Sequence, residues 1–600
     1  MGIFAWSVLC VCLLAGIQAE EAINDGLTAP CDSDVYCFGD ILHTVQFAHL
    51  HKDSKTFVDM PMKFDHEYVW RHFNLMMNNT NRNPSKNDVA RFVEENFDEA
   101  GSEFEKFHPT DWKPSPSFLL RIHDRRLRDW MFQLHNTWKE LGRQVRGEVF
   151  LHPERFSSIY VPNPTIVPGG RFREFYYWDS YWVIKGLLLS EMRTTVRGML
   201  ENFLAMVKRY GIVPNGGRVY FSRRSQPPFL LPMTQLYIQD TNDLDFLRMN
   251  MALLEKEYNF WRVNRTVEVV KNGRRYTMYR YSAQIGLPRP ESYREDVELS
   301  SSCRTEEEKG LLYDELASAC ETGWDFSSRW IPSASGTLKD LKTRSIVPVD
   351  LNSLMVKNSR ILSKFASLLG LKDKVRMYER HAQQTTKAIR EVLWDENSGT
   401  WYDWDLENHK HHKEFYLSSI FPIWAGASSH AENLQFLDYF TRINATSYIS
   451  GVPTSFLTTG QQWDFPNSWP PLQHIMIEAL EVIGSERAKQ LALEQTSSWM
   501  SSVYLTYLHS KPHAMFEKYN VTRVGAPGGG GEYDVQLGFG WTNGVVLALG
   551  AKYGHVLVAP SISSTAVSET PNAAASEPPL WLTIVIVSLS VSTLLAVSVG

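Results

Sequence analysis

The sequence predicts an all-α fold in which paired helices close into a ring, and three observations predict it. Apolar residues recur at helical spacing along most of the chain, no apolar–polar alternation persists long enough for a large sheet, and no low-complexity linker divides residues 20–553. Taken in order, the first long amphipathic segment is 119–142, closed by Gly142, and the second is 187–210, which stops at Gly211. Segment 241–263 opens with a Thr-Asn-Asp cap signal and continues through Leu244, Phe246, Leu247, Met251 and Leu254. Segments 350–369 and 372–393 form a helix pair broken at Gly370, and 485–508 is a further long helix. One unit of this length exceeds the usual domain, and a closed ring of paired helices accommodates it. Aromatic, Gly- and Pro-rich connectors fall between the helices at 168–182, 214–230, 287–293, 322–330, 461–471 and 515–544. The unusual residues therefore sit on loops carried by a rigid scaffold.

The two ends of the 600-residue chain read differently from its body. The uncharged apolar stretch from Ile3 to Ile17, followed by Gln18-Ala19 and acidic Glu20-Glu21, predicts a cleaved signal peptide at 1–19. Sequons at Asn78, Asn264, Asn444 and Asn520 agree with secretion. Outside the signal peptide four cysteines remain, and their short spacings predict local bridges Cys31–Cys37 and Cys303–Cys320. Residues 554–579 form a Ser-, Thr-, Ala- and Pro-rich stalk, and 580–600 are apolar to the last residue with no basic flank. Small residues at 572–576 ahead of that tail match a lipid (GPI) attachment signal, which places the protein on the outer face of the cell membrane; a single C-terminal transmembrane helix is the alternative. A net charge of -6 offers no basic footprint, so nucleic acid is not an expected partner.

Five connector segments mix Trp or Tyr with Asp, Glu, Arg, Asn or Gln. They are Pro168-Gly-Gly-Arg171 to Glu174 with Trp178-Asp179; Asn215-Gly-Gly-Arg218 with Arg224-Ser225-Gln226; Arg289-Pro290-Glu291; Gly323-Trp324-Asp325 to Arg329-Trp330; and Gln462-Trp463-Asp464 to Trp469 together with Phe516-Glu517-Lys518-Tyr519 and Gly528 to Glu532. Aromatic faces cover the C–H face of a pyranose while carboxylates, amides and guanidinium forks pair its hydroxyls. One Trp-Asp pair is most simply core; five clusters of the same character point to a sugar site. Breaking an acetal needs one carboxylic acid to protonate the leaving oxygen and one carboxylate on the opposite face, about 6.5–9.5 Å apart if a water is to fit between them. Asp325, between Trp324 and Phe326, is placed for desolvation and suits the acid. Glu517, beside Lys518, suits the base.

Pro168 to Trp182 and Gln462 to Pro471 resemble the two signature motifs of the trehalase family of glycoside hydrolases, and the resemblance runs from about Cys31 to Tyr553. It implies an (α/α)6 toroid with catalytic loops at one end, inverting hydrolysis of the disaccharide α,α-trehalose, and no metal or cofactor. Carried over by motif, Asp325 is the acid and Glu517 the base. Arg171, Trp178, Asp179, Asn215, Arg224, Ser225, Gln226, Arg289, Pro290, Glu291 and Gly323 bind substrate, and the glycine-rich segment with Glu532 closes over the sugar. Three arginines near Asp325 would work against its protonation; the expectation is that they pair with Glu291, Asp179 and sugar hydroxyls. A glycan on Asn520, three residues from Glu517, would obstruct the site, so that sequon is expected to stay unmodified. His409, His411 and His412 read as a solvated basic loop. The rival readings are an enzyme for another α-glucoside and a catalytically silent sugar receptor.

Overall fold

The computed structural model describes residues 29–561 apart from 334, 335, 532, 534, 535 and 537. The expected signal peptide, most of the stalk, the apolar tail and Glu532 lie outside the described residues. Twelve helices make the ring: α1 Arg125–Leu141, α2 Asp179–Leu189, α3 Arg193–Tyr210, α4 Leu230–Thr241, α5 Leu244–Asn264, α6 Val349–Leu368, α7 Lys372–Ala388, α8 Phe421–Ala425, α9 His430–Arg442, α10 Pro470–Ile483, α11 Glu486–His509 and α12 Gly540–Tyr553. The even-numbered helices touch in a closed circuit, α2 to α4, α6, α8, α10, α12 and back to α2, and each odd-numbered helix packs outside them. The architecture is the (α/α)6 toroid.

Sequence decides which helix lies inside. α1 buries Leu127, Trp130, Met131, Leu134, Trp138 and Leu141 along one stripe and turns its charged residues outward, as an outer helix must. α12 is buried at every residue from Gly540 to Ala551, so only a position walled on all sides suits it. It meets α2 where Gly544 faces the Trp182 carbonyl; any side chain at 544 would run into that oxygen, so glycine lets the last inner helix close on the first.

Several boundaries differ from the sequence expectation. Segment 187–210 is two helices, because the chain turns at Glu191, which has φ 61°, between α2 and α3. α1 begins only at Arg125, where the Asp124 side chain accepts from the N–H groups of Arg126 and Leu127. The inner helices α4 and α10 lie outside the helices expected from sequence, and α12 falls partly within a connector because a helix apolar on every side carries no 3.6-residue contrast. A two-stranded hairpin, Thr266–Lys271 with Arg274–Tyr279, turns at Asn272-Gly273 in the connector after α5.

The bridge Cys31–Cys37 forms, with an S–S distance of 2.02 Å. Cys303 and Cys320 are both free thiols, which corrects the second expected bridge. They lie at opposite ends of the helix Glu306–Glu321, and its 16 residues span roughly 24 Å, several times the Cα separation a disulfide tolerates. Residues 554–561 lie against α1: Ala559 N–H donates to Asp124 Oδ2 at 3.0 Å, and Arg126 donates to the carbonyls of Ala559 and Pro560. The 409–412 segment is no solvated loop either. Lys410–His412 pairs with Asp403–Asp405, and His411 Nε2 lies 2.8 Å from the Val392 carbonyl.

Candidate active site

Each connector from an outer helix to the next inner helix delivers its residues to the same end of the ring, where the inner helices begin. Five of these six connectors line one cavity. Arg171, Trp178, Asp179, Asn215, Arg224, Gln226, Arg289, Glu291, Gly323, Asp325 and Glu517 all line it. Ser225 and Pro290 are buried next to it without lining it. Ser225 is engaged elsewhere: its hydroxyl donates to the Val213 carbonyl at 2.7 Å and its N–H to Glu321 at 3.1 Å.

The wall is aromatic. Trp463 stacks on Trp469 with centroids 3.7 Å apart, Trp324 stacks on the other side of Trp463 at 5.3 Å, and Trp178 and Trp541 abut the stack. Local sequence sets these positions. Trp178 precedes α2 and leaves Asp179 as that helix's first residue. Trp469 precedes α10, whose first residues Pro470 and Pro471 need no partner for an N–H they lack. Gly323 has φ 76°, and a Cβ there would stand 2.8 Å from the Trp178 ring, so only glycine lets the Asp325 loop pass behind that indole.

The charges are ordered by pairing. Arg171 forms a two-pronged pair with Asp53, at 2.6 and 3.0 Å, and reaches the Glu291 carbonyl at 3.3 Å. Arg224 pairs with Glu291 through Nη2. Arg289 grips Asp296 through Nε at 3.0 Å and Nη2 at 2.6 Å, and its Nη1 donates to Cys320 Sγ at 3.1 Å. The expected pairing with Glu291 holds, and the other two carboxylate partners are Asp53 and Asp296. Burial would raise the Glu291 carboxyl, but Arg224 and Arg289 outweigh it and hold it below the usual carboxylate range. Asp179 lies the other way: burial holds its carboxyl well above the usual range, and the negative charges of Glu517 and Asp325 add to that. Two carboxylates rather than an arginine are thus the charges that act on Asp179.

Glu517 is 2% exposed and meets two donors, Tyr533 Oη at 3.0 Å on Oε1 and Lys518 Nζ at 3.3 Å on Oε2. Asp325 stands on a loop clamped from below. Ser327 and Ser328 donate to the buried Asp464 carboxylate at 2.8–2.9 Å, and Arg329 sits between Asp350 and Asp403. Glu517 and Asp325, far apart in the chain, therefore face one cavity across a tryptophan wall.

Sequence reasoning missed several lining or supporting groups. Tyr533 and Trp541 lie in or just after the glycine-rich connector and carried a signal only as aromatics there. Cys320 reads as half of a disulfide, yet it lines the cavity with its thiol pushed up to about 12, by burial first and against the pull of Arg289 and Arg224. Asp53 lies in the N-terminal segment with nothing in its neighbourhood to mark it.

The chain was compared with known proteins. The family model described as Trehalase matches residues 49–554. A trehalase of Apis mellifera is 47% identical over 538 residues, covering 88% of this chain and 86% of that protein. A trehalase of Homo sapiens is 46% identical over 552 residues, covering 92% and 94%. Among solved structures, the neutral trehalase of Saccharomyces cerevisiae superposes with a TM-score of 0.52 at 22% identity, over 65% of this chain and 75% of that one, a likeness that bears on the fold.

Proposed function

The chain belongs to the trehalase family and is a glycoside hydrolase that splits α,α-trehalose into two glucose molecules, and from that premise we propose how its residues divide the work. Asp325 is the general acid: it gives its proton to the oxygen bridging the two anomeric carbons as one C1–O bond breaks. Glu517 is the general base: it takes a proton from the water that attacks that C1 from the opposite face, and the configuration there inverts. One glucose leaves as the β anomer and the other as the α anomer, and solvent returns the proton from Glu517 to Asp325.

The observation that carries this reading is that Asp325 and Glu517 line the same cavity, each on its own anchored loop, beside the aromatic wall. Arg171, Arg224, Arg289, Glu291, Asn215 and Gln226 bind sugar hydroxyls. Arg224 Nε and Glu291 Oε2, both buried, have no partner among the described residues, and bonding them favours a ligand rich in hydroxyls. Asp179, held towards its neutral form, is suited to donate a hydrogen bond to the same ligand. Asp325→Asn and Glu517→Gln are each expected to lower trehalose turnover about a thousandfold or more with folding intact; full activity in either ends the assignment. Proton NMR of freshly released glucose should show α and β anomers in equal amounts, whereas α alone would require retention. Glucose release from maltose assayed beside trehalose tests the choice of substrate.

The sequence further supports secretion, removal of residues 1–19, and attachment to the outer face of the membrane by a lipid near 572–576. Among the described residues no helix is long and apolar enough to cross a membrane. Release of activity from cells by a phosphatidylinositol-specific phospholipase tests the anchor; activity left on the membrane favours a transmembrane tail.

A further inference from the structure

Gln462 belongs to the second aromatic motif, but nothing in the reading above gives it work. It is 1% exposed and sits between the loops that carry Asp325 and Glu517. Its Nε2 donates to the main-chain carbonyl of Asp325 itself. Its Oε1 accepts from Lys518 Nζ at 2.7 Å, and the same ammonium lies 3.3 Å from Glu517 Oε2. One amide thus joins the backbone of one carboxylate residue to the side chain of the other through Lys518, and Tyr533, which donates to Glu517 Oε1 and also engages the Gln462 side chain, stands beside that link. The residue's backbone is itself held, as Asn467 Nδ2 and Trp469 Nε1 both donate to the Gln462 main-chain carbonyl at 3.0 Å, and Gly531 lies against the side-chain amide. Asn467 also ties down the glycine-rich segment, accepting from Gly529 N–H at 3.1 Å and donating to the Gly529 carbonyl at 2.7 Å.

We propose that Gln462 is a positioning residue that sets the separation of the two carboxylates, through the bridge from the Asp325 carbonyl to the Gln462 amide, to Lys518, to Glu517. The physical reason is chemical fit. A side-chain amide offers a donor and an acceptor about 2.2 Å apart on one rigid plane at every pH, so it can satisfy a carbonyl and an ammonium at once. A spacing shared by two loops must hold to a fraction of an ångström, because the attacking water and the leaving oxygen lie on one line and an error of about 1 Å costs about a hundredfold in rate. Gln462 touches neither the acid nor the base carboxylate, so its effect is transmitted wholly through groups that do.

This inference rests on Asp325 and Glu517 being the acid and base, and its test separates the two claims. Gln462→Met, Lys518→Met and the double variant are assayed on trehalose, with Asp325→Asn and Glu517→Gln alongside. Each single substitution is expected to lower kcat about a hundredfold with KM within about threefold, and the double variant to fall no further than the worse single one, since both break the same bridge. Losses that multiply in the double variant, or a fall carried by KM with kcat retained, overturn the bridge. If Gln462→Met does not fold, Gln462→Asn serves: it keeps the amide but is one methylene too short to reach both partners, and wild-type kcat in it also overturns the bridge. Should Asp325→Asn or Glu517→Gln turn over normally, the acid–base assignment falls, and the bridge falls with it. Inactivity of both beside a fully active Gln462→Met removes the bridge alone.

Discussion

Arg329 and Arg224 are both buried arginines near Asp325, and they do opposite things. Arg329 lies beneath the Asp325 loop and engages every guanidinium nitrogen, with four bonds of 2.7–3.0 Å to Asp350 and Asp403. Arg224 lies in the cavity wall, where Nη2 meets Glu291 while its own Nε and Glu291 Oε2 have no partner among the described residues. Burial is nearly the same, 0% and 3% exposed. Burial does not separate the two pairs; their place does, since one is fully hydrogen-bonded inside the scaffold and the other keeps unpartnered atoms in the wall of the cavity. The buried Arg218–Glu103 pair also leaves Arg218 Nη2 and Glu103 Oε2 unpartnered among the described residues, but it does not line the cavity.

Substitutions sharpen that contrast. Arg329→Met leaves two buried aspartates without their cation, and is expected to cost about 4 kcal/mol of stability, read from urea unfolding of the purified protein. If it folds normally but binds sugar poorly, the contrast is wrong. Arg224→Met is expected to lower kcat/KM about a hundredfold, about 2.7 kcal/mol of transition-state binding, with a smaller loss of stability than at Arg329. In the Asp325→Asn background trehalose should raise the melting temperature, and adding Arg224→Met should abolish that rise.

Glu257 tests the intermediate case, a carboxyl engaged on one oxygen alone. Its Oε1 accepts from Tyr177 Oη at 2.8 Å and Trp261 Nε1 at 3.1 Å, while Oε2 has no partner among the described residues. Burial lifts its pKa to about 7 in spite of both hydrogen bonds. The folded protein therefore holds this proton more tightly than the unfolded chain does. The stabilisation is complete below the unfolded value near 4.5 and is lost as pH rises through about 7. Glu257→Gln, which cannot ionise, should match the parent near pH 4 and exceed it at pH 8 by about 3 kcal/mol, measured as the difference between their unfolding free energies. The smallest effect concerns Asn520, whose Oδ1 already accepts from Thr522 N–H and Oγ1 at 2.8 and 2.7 Å. Asn78, Asn264 and Asn444 are exposed. Asn520→Gln should leave the glycoprotein mass unchanged, whereas loss of any of the other three should lower it.

The same distinction explains what could be read from the chain alone. An outer helix such as α1 was legible because one face is apolar and the other charged. Of the inner wall α6 was legible too, but α12 was not, because it is apolar all round and its periodicity vanishes. The cavity's polar residues were legible where they cluster with tryptophan in short connectors. Their partners were not: Asp53 meets Arg171 from more than a hundred residues away, and no local pattern announces such a contact. Cys320 misled for the same reason, since spacing in sequence said nothing of the helix that holds it away from Cys303.

The closure of α12 against α2 has a consequence for how the protein comes into being on the ribosome. The first inner helix is synthesised early and the last one only at Gly540–Tyr553, so the ring stays open until almost the whole chain has emerged. Glu517, Tyr533 and Trp541 arrive in that same final stretch. A nascent chain stalled before residue 540 would leave the apolar flanks of α2 and α10 uncovered and the ring open, and is expected to lack catalytic power and to need chaperones.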